Sequence, residues 1–364
     1  MWSVVLFVGA AAPAALLVGS GRLSRPAAQP CGVGIRRAFC SCSAASDAWS
    51  FVDAAFIISC PNADGSNPRL AGIRPLLAEV GLGDRVEVRE FPKDDNDRIR
   101  GCYTSHIAVL EEAQRRFEGK KDYNILVLED NIAVSPRLSP ETLATVKRYV
   151  TEPAAEPRDM VHLAYIMYVP GLEVERTRDE HIVRLDCTPD SVLGTTAYIM
   201  TRSGLDALLA EHSRRGYTDG DAIPNVMARL FPNSRFAAFP MPFHRAANIK
   251  SLVNAQLDNL RAILFLPPFY TSWERLLVGS GQNTNVLFPA LVSSFMLLAL
   301  GSISELVASI SAASRGEEIN LVLPVLSAVV AIPSLLVIFY GLSLAPKPQT
   351  ATLPPDAVTS EAKR

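Results

Sequence analysis

The chain carries no HExxH pair, no GxGxxG fingerprint and no Walker loop, which removes the sequence signatures of zinc metalloproteases, dinucleotide enzymes and P-loop NTPases. It has no Asn-x-Ser/Thr acceptor either, so glycosylation says nothing about its exposure to a lumen. Charge of one sign is lacking too: 35 basic side chains face 37 acidic ones, for a net of −2. Binding along a phosphate backbone needs an excess of Lys and Arg, so no nucleic-acid partner is expected. Cysteine is sparse and badly spaced for cross-linking. Of six, Cys31, Cys40 and Cys42 fall near the N-terminus, and Cys60, Cys102 and Cys187 are an odd number at unrelated spacings. That excludes a disulfide framework and shows no zinc pattern. Disorder throughout is excluded by an apolar share of 49% against 20% charged.

What is present is distributed unevenly over the 364 residues, enough chain for one large or two ordinary domains. Residues 1–46 contain no acid. They begin with an uncharged run from Trp2 to Gly21, followed by Arg22, Arg25, Arg36 and Arg37 among Ala, Ser, Gly and Pro. That order reads as a targeting segment: a signal peptide, a signal anchor, or part of an organelle address. Near the other end, the uncharged runs at 286–304 and 320–344 each approach the ~20 residues that cross a ~30 Å hydrocarbon core. Together they predict a two-helix transmembrane hairpin, and hence a place in an endomembrane (ER or Golgi) or organelle membrane. Residues 347–364 read as a disordered tail. Tyr270 and Trp273, ahead of the first run, suit either a lipid headgroup layer or the last packed piece of a globular domain.

Residues 50–275 have globular character. Ala54 to Cys60 and Tyr123 to Leu128 are apolar runs of strand length, and Arg85 to Phe91 alternates as a strand does. Cys102 to Phe117 places Ile107, Leu110 and Ala113 on one helical face. Ser139-Pro140 is a cap-and-first-turn pair that starts another helix. Strand patterns follow at 160–165, 181–185 and 195–200, with helices from Ser203 and Asp221. Strands alternating with helices predict an α/β fold with a mostly parallel sheet. In such a sheet, ligands bind beyond the carboxyl ends of the strands. There the 123–128 strand stops at Glu129-Asp130-Asn131. Adjacent hard oxygen ligands suit Mg²⁺ or Mn²⁺, and an ordinary polar turn is the plainer alternative.

Four blocks in order carry a family resemblance: Gly101-Cys102-Tyr103-Thr104-Ser105-His106 before an amphipathic helix, then ILVLEDN, GTTAYIMTRSGLDALL and DGD. The arrangement resembles glycosyltransferase family 25, which includes lipooligosaccharide sugar transferases and collagen galactosyltransferases. The resemblance spans about Phe56 to Val253. It implies a GT-A-type nucleotide-diphospho-sugar transferase domain, a UDP-sugar donor and a Mn²⁺ or Mg²⁺ cofactor. It also implies inversion at the anomeric carbon, with a glycan, lipid or protein hydroxyl as acceptor. By motif, Glu129 and Asp130 become the acidic donor and metal site, with Asn131 as third ligand. Asp219 or Asp221 becomes the base that deprotonates the attacking hydroxyl; Asp221 is favoured because it precedes a helix, and capping that helix is its plainer role. Thr195 and Arg69 are candidates for holding the donor, Arg69 through a phosphate. His106 and Cys102 read as structural.

The chain departs from the family pattern twice. Ser59-Cys60-Pro61-Asn62-Ala63-Asp64 stands where the family has an Asn-Leu-Asp-Arg-like string, and Asn131 replaces a third acid. The expectation is a membrane-attached hexosyltransferase. Its alternatives are a non-catalytic glycosyltransferase-like binding protein and a membrane scaffold.

Overall fold

Strand β1 (Ala54–Ser59) is apolar at nearly every position because both of its faces are covered, and it lies inside the sheet between two parallel neighbours. A computed structural model describes residues 48–152, 158–169, 171–186, 193–232, 234–246, 249, 267–316, 322, 325 and 329. Among them, β1 is followed by α1 (Pro68–Glu79), β2 (Val86–Glu90), α2 (Arg98–Arg116), β3 (Asn124–Glu129), β4 (Ile132–Val134) and α3 (Pro140–Thr151). Next come β5 (Met160–Ala164), β6 (Glu173–Arg176), β7 (Ile182–Asp186) and β8 (Ala197–Thr201). The remainder is α4 (Arg202–Arg215), α5 (Ile223–Leu230), β9 (Arg235–Ala238), β10 (Phe243–Arg245), α6 (Pro267–Ser280) and α7 (Thr284–Ser314).

The α/β class holds, but the mostly parallel sheet does not. The main sheet has eight strands in the order β2-β1-β3-β8-β5-β9-β7-β6. Its pairings are mixed: β1–β2, β1–β3 and β5–β9 are parallel, whereas β3–β8, β5–β8, β7–β9 and β6–β7 are antiparallel. Apolar runs alone do not carry strand direction. A run buried on both faces reads the same whichever way its neighbours point. A separate antiparallel pair joins β10 to β4.

Alternation along β3 sorts the two layers. Leu126 and Leu128 pack with α1 and α3 through Leu70, Ile73, Leu77, Leu143 and Val146. Ile125 and Val127 face α2, α4 and α5 through Leu110, Leu205 and Val226. A third apolar group under β6 and β7 is completed by Tyr270, Trp273 and Leu277 of α6. Tyr270 and Trp273 therefore belong to the globular core, which resolves the alternatives their sequence left open.

The chain divides into two compact units, at Leu291/Val292. Two membrane spans are not supported, because among the described residues no helix is long and apolar enough to cross a membrane. The leading residues of the 286–304 run are used elsewhere. Leu287, Phe288 and Leu291 pack against the third apolar group, and Phe288 stacks on Trp273 with ring centroids 4.8 Å apart. What remains before Glu305 is shorter than the ~20 residues a ~30 Å layer requires. Further along α7, Leu297, Leu300, Val307 and Ile310 are exposed. The membrane localisation, which rested on the two spans, loses its basis. The targeting segment at 1–46, the tail at 347–364 and, apart from residues 322, 325 and 329, the 320–344 run lie outside the described residues.

Candidate functional site

The carboxyl end of β3 is where the sequence expectations meet the structure. Side chains alternate faces along a strand, so Glu129 continues the Ile125–Val127 row toward α2, and Asp130 continues the Leu126–Leu128 row toward α1. Their partners confirm the split. Glu129 Oε1 accepts from Thr195 Oγ1 at 2.8 Å, and its Oε2 accepts from Asn131 Nδ2 at 2.9 Å. His106 Nε2 lies 3.7 Å from Glu129 Oε1. Asp130, only 4% exposed, accepts from Ser59 Oγ at 2.7 Å, from the Cys60 amide at 3.3 Å and from Arg69 Nη1 at 2.9 Å. Asn67 steadies Ser59 in turn, donating to its hydroxyl at 2.8 Å and to Glu90 at 2.9 Å.

Glu129 and Asp130 therefore do not converge on one point, and Asn131 offers Glu129 its amide protons. These three residues do not fit a single Mn²⁺ or Mg²⁺ ion, whose protein oxygens must all come within about 2.0–2.1 Å of one point. Burial pushes the Glu129 carboxyl up. The facing His106 imidazole and the Thr195 and Asn131 hydrogen bonds outweigh it and hold the group at about 2. Glu129 is thus a carboxylate at neutral pH.

Thr195 reaches Glu129 because β8 runs against β3. In the register Leu128 opposes Ala197, and the Glu129 amide donates to the Thr196 carbonyl at 2.9 Å. A parallel β8 would have carried Thr195 to the far end of the sheet. The strand that breaks the parallel expectation is the one that delivers this expected residue.

Helix α2 supplies the rest. It starts at Arg98 rather than Cys102, because Asp97 caps it by accepting from the amides of Ile99 and Arg100. Cys102 and His106 are one helical turn apart and share a face. His106 is fully buried, and its Nδ1 lies 2.9 Å from the hydroxyl of Tyr198 on β8. Its Nε2 makes no hydrogen bond. Cys102 Sγ, a ring nitrogen of His106 and a Glu129 oxygen all lie within 4.8 Å of one another. Residue-by-residue reading passes over this trio because Cys102 and His106 each look structural, and Glu129 groups with Asp130 and Asn131 instead. The Cys-x-x-x-His spacing on a helix was the available signal.

The loop carrying the expected base sits beside the start of α2, where Tyr217 Oη donates to Asp97 Oδ2 at 2.7 Å. Asp219 is exposed in that loop. Asp221 does not cap α5, whose N-cap is Ala222 with no side-chain bond. Instead Arg229 grips it with both terminal nitrogens, one at 3.1 Å from Oδ1. Arg69 is likewise committed to Asp130 rather than turned toward an open site. No protein-family model matches the chain, and no curated protein matches it either.

Proposed function

We propose that the chain is a hexosyltransferase that moves a sugar from a UDP-sugar donor to a hydroxyl of a glycan, lipid or protein, with inversion. One observation supports this reading above the others. Three blocks that resemble family 25, far apart in sequence, meet at Glu129: Cys102 and His106 from α2, Asn131 beside it, and Thr195 from the lead-in to β8. The meeting point is the carboxyl end of a strand in an α/β sheet, where such folds hold ligands. In the proposed reaction Thr195 and Glu129 orient the donor at the rim. Asp219 or Asp221 takes the proton of the attacking hydroxyl, Asp221 only after leaving Arg229. The base must come within hydrogen-bond reach of that hydroxyl.

A second reading is favoured by the way the polar groups are committed. Asp130 already accepts from three donors and Asp221 from Arg229, an arrangement suited to a binding protein that no longer turns over. Incubating the purified chain with a panel of UDP-sugars, with and without Mn²⁺, separates the two. The transferase reading expects free UDP to accumulate with acceptor or water. UDP binding without release at any donor would replace it with the binding-protein reading, and neither binding nor release would overturn both.

A further inference from the structure

A buried ring nitrogen without a partner is a cost that folded proteins avoid, at about 1–3 kcal/mol for a lost hydrogen bond. His106 Nε2 is such an atom, on a side chain with no exposure. Glu129 Oε1 lies 3.7 Å from it, beyond hydrogen-bond reach, the Cys102 thiol belongs to the same close group, and the other ring nitrogen is taken by Tyr198. From this geometry we infer that Cys102, His106 and Glu129 form a metal site for a borderline-soft divalent cation of the zinc class, with a fourth position left open.

The donor set decides the class of ion. Thiolate and imidazole favour zinc-like ions over Mg²⁺ or Mn²⁺, which prefer oxygen. Three protein ligands with one open position is the arrangement of zinc sites that bind water or substrate. Ligand atoms around a tetrahedral zinc lie roughly 3.5 Å apart, and the His106–Glu129 separation is already 3.7 Å. Cys102 and Glu129 are both partly exposed, whereas His106 is buried. Tyr198 supplies the outer support that metal-bound imidazoles use. With Nδ1–H donating to its hydroxyl, the lone pair of Nε2 is turned to the ion. Burial pushes the free Cys102 thiol up to about 12, with the nearby Glu129 charge adding to the rise. The ion forms its bond to sulfur as the thiol proton leaves to solvent, and the Glu129 carboxylate then faces a cation. No electron changes hands. The site does not depend on sugar transfer, so its failure and that of the transferase reading are distinguishable.

The full chain, stripped with chelator, is titrated with Co²⁺ and then with Zn²⁺. One equivalent of Co²⁺ is expected to give a thiolate-to-metal charge-transfer band and intense tetrahedral visible bands, which Zn²⁺ then abolishes. Cys102→Ser should remove the charge-transfer band, while Cys60→Ser leaves it in place. Tyr198→Phe should bind roughly 10–100-fold more weakly and Glu129→Gln, which removes a ligand, at least as weakly, and both keep the shape of the residue they replace. His106→Gln is informative only beside those two, since it empties a core position. Absence of a bound equivalent in the wild-type chain, or a charge-transfer band that survives Cys102→Ser, would overturn the site. So would unchanged affinity in Glu129→Gln.

Discussion

Arg69 holds Asp130 at 2.9 Å, with the carboxylate 5% and the guanidinium 18% exposed, on the face of the sheet turned away from His106 and Glu129. Two neighbours in sequence, both expected to hold one cation, have been divided by the pleat into separate structures. One is an ion pair that ties α1 to the ends of β1 and β3. The other is a carboxylate facing a helix that carries a thiol and an imidazole.

The Asp130 arrangement gives a stability prediction. Asp130→Ala removes the acceptor for Ser59, the Cys60 amide and Arg69 together. Breaking a mostly buried pair from one side leaves an uncompensated charge and costs about 3–5 kcal/mol. Asp130→Asn keeps the volume and one acceptor oxygen, so its cost should be smaller, about 1–3 kcal/mol. Urea denaturation of the two variants checks the order. A fall in UDP binding without that loss of stability would instead assign Asp130 to the donor.

Two glycines should respond in opposite senses to the same substitution. A Cβ on Gly204, in the first turn of α4, would stand 2.3 Å from the Asp159 carbonyl oxygen and 2.7 Å from Met200 Sδ. Backbone there cannot swing aside cheaply, so Gly204→Ala is expected to cost at least about 1–3 kcal/mol. Gly72 lies inside α1 with nothing within 4 Å of such a Cβ. Gly72→Ala should gain about 0.5–1 kcal/mol from helix propensity alone. Thermal melts of both proteins decide the signs.

The elements themselves were largely legible in the sequence. β1 and β3 fall within a residue or so of their apolar runs, and α3 starts where Ser139-Pro140 placed it, with Ser139 accepting from the Thr142 amide at 3.2 Å. β4, β6 and β10 are three or four residues long, too short for a period to show. Strand direction was not legible, and with it went the parallel sheet. Convergence was legible only in part. Glu129 and Thr195, separate candidates in the sequence, are hydrogen-bonded to each other, but the Cys102–His106 face was hidden because helical spacing gains meaning only once a third ligand arrives from β3. The apolar run at 286–304 misled for a related reason. Hydropathy cannot distinguish side chains meant for lipid from Phe288 meant for Trp273.

Trp49 anchors the beginning of the described chain. Its ring is fully buried, it stacks on Phe51 with centroids 6.2 Å apart, and its Nε1 donates to the Val80 carbonyl at 2.8 Å just past α1. Trp49→Phe retains most of the apolar contact but leaves that carbonyl without its donor, which should cost about 1–3 kcal/mol. Trp49→Ala adds a cavity and should cost about 3–5 kcal/mol. A Trp49→Phe protein as stable as the wild type, measured by denaturant midpoint, would show that the hydrogen bond contributes nothing.

Glu274 on α6 gives the fold a pH dependence of unusual sign. Its carboxylate is completely buried, accepts from the Met241 amide at 2.8 Å and meets Arg137 at 2.6 Å. Burial raises its pKa from 4.5 to about 7 despite the opposing pull of Arg137 and Arg275 and the Met241 hydrogen bond. Tyr165 and Tyr270, the titratable neighbours, stay neutral across this range because burial raises both. A raised folded-state pKa means the folded chain holds the proton more tightly than the unfolded one. The contribution is therefore complete below about 4.5 and is lost as pH rises through about 7. The gap corresponds to roughly 3 kcal/mol. Glu274→Gln keeps one acceptor oxygen, enough for either Met241 or Arg137, and cannot ionise. Its unfolding free energy, followed from pH 5 to pH 8, should lack the decline that Glu274 imposes on the wild-type protein. If the two proteins track each other across that interval, the pair with Arg137 has kept Glu274 ionised throughout, and desolvation is not the dominant force at this position.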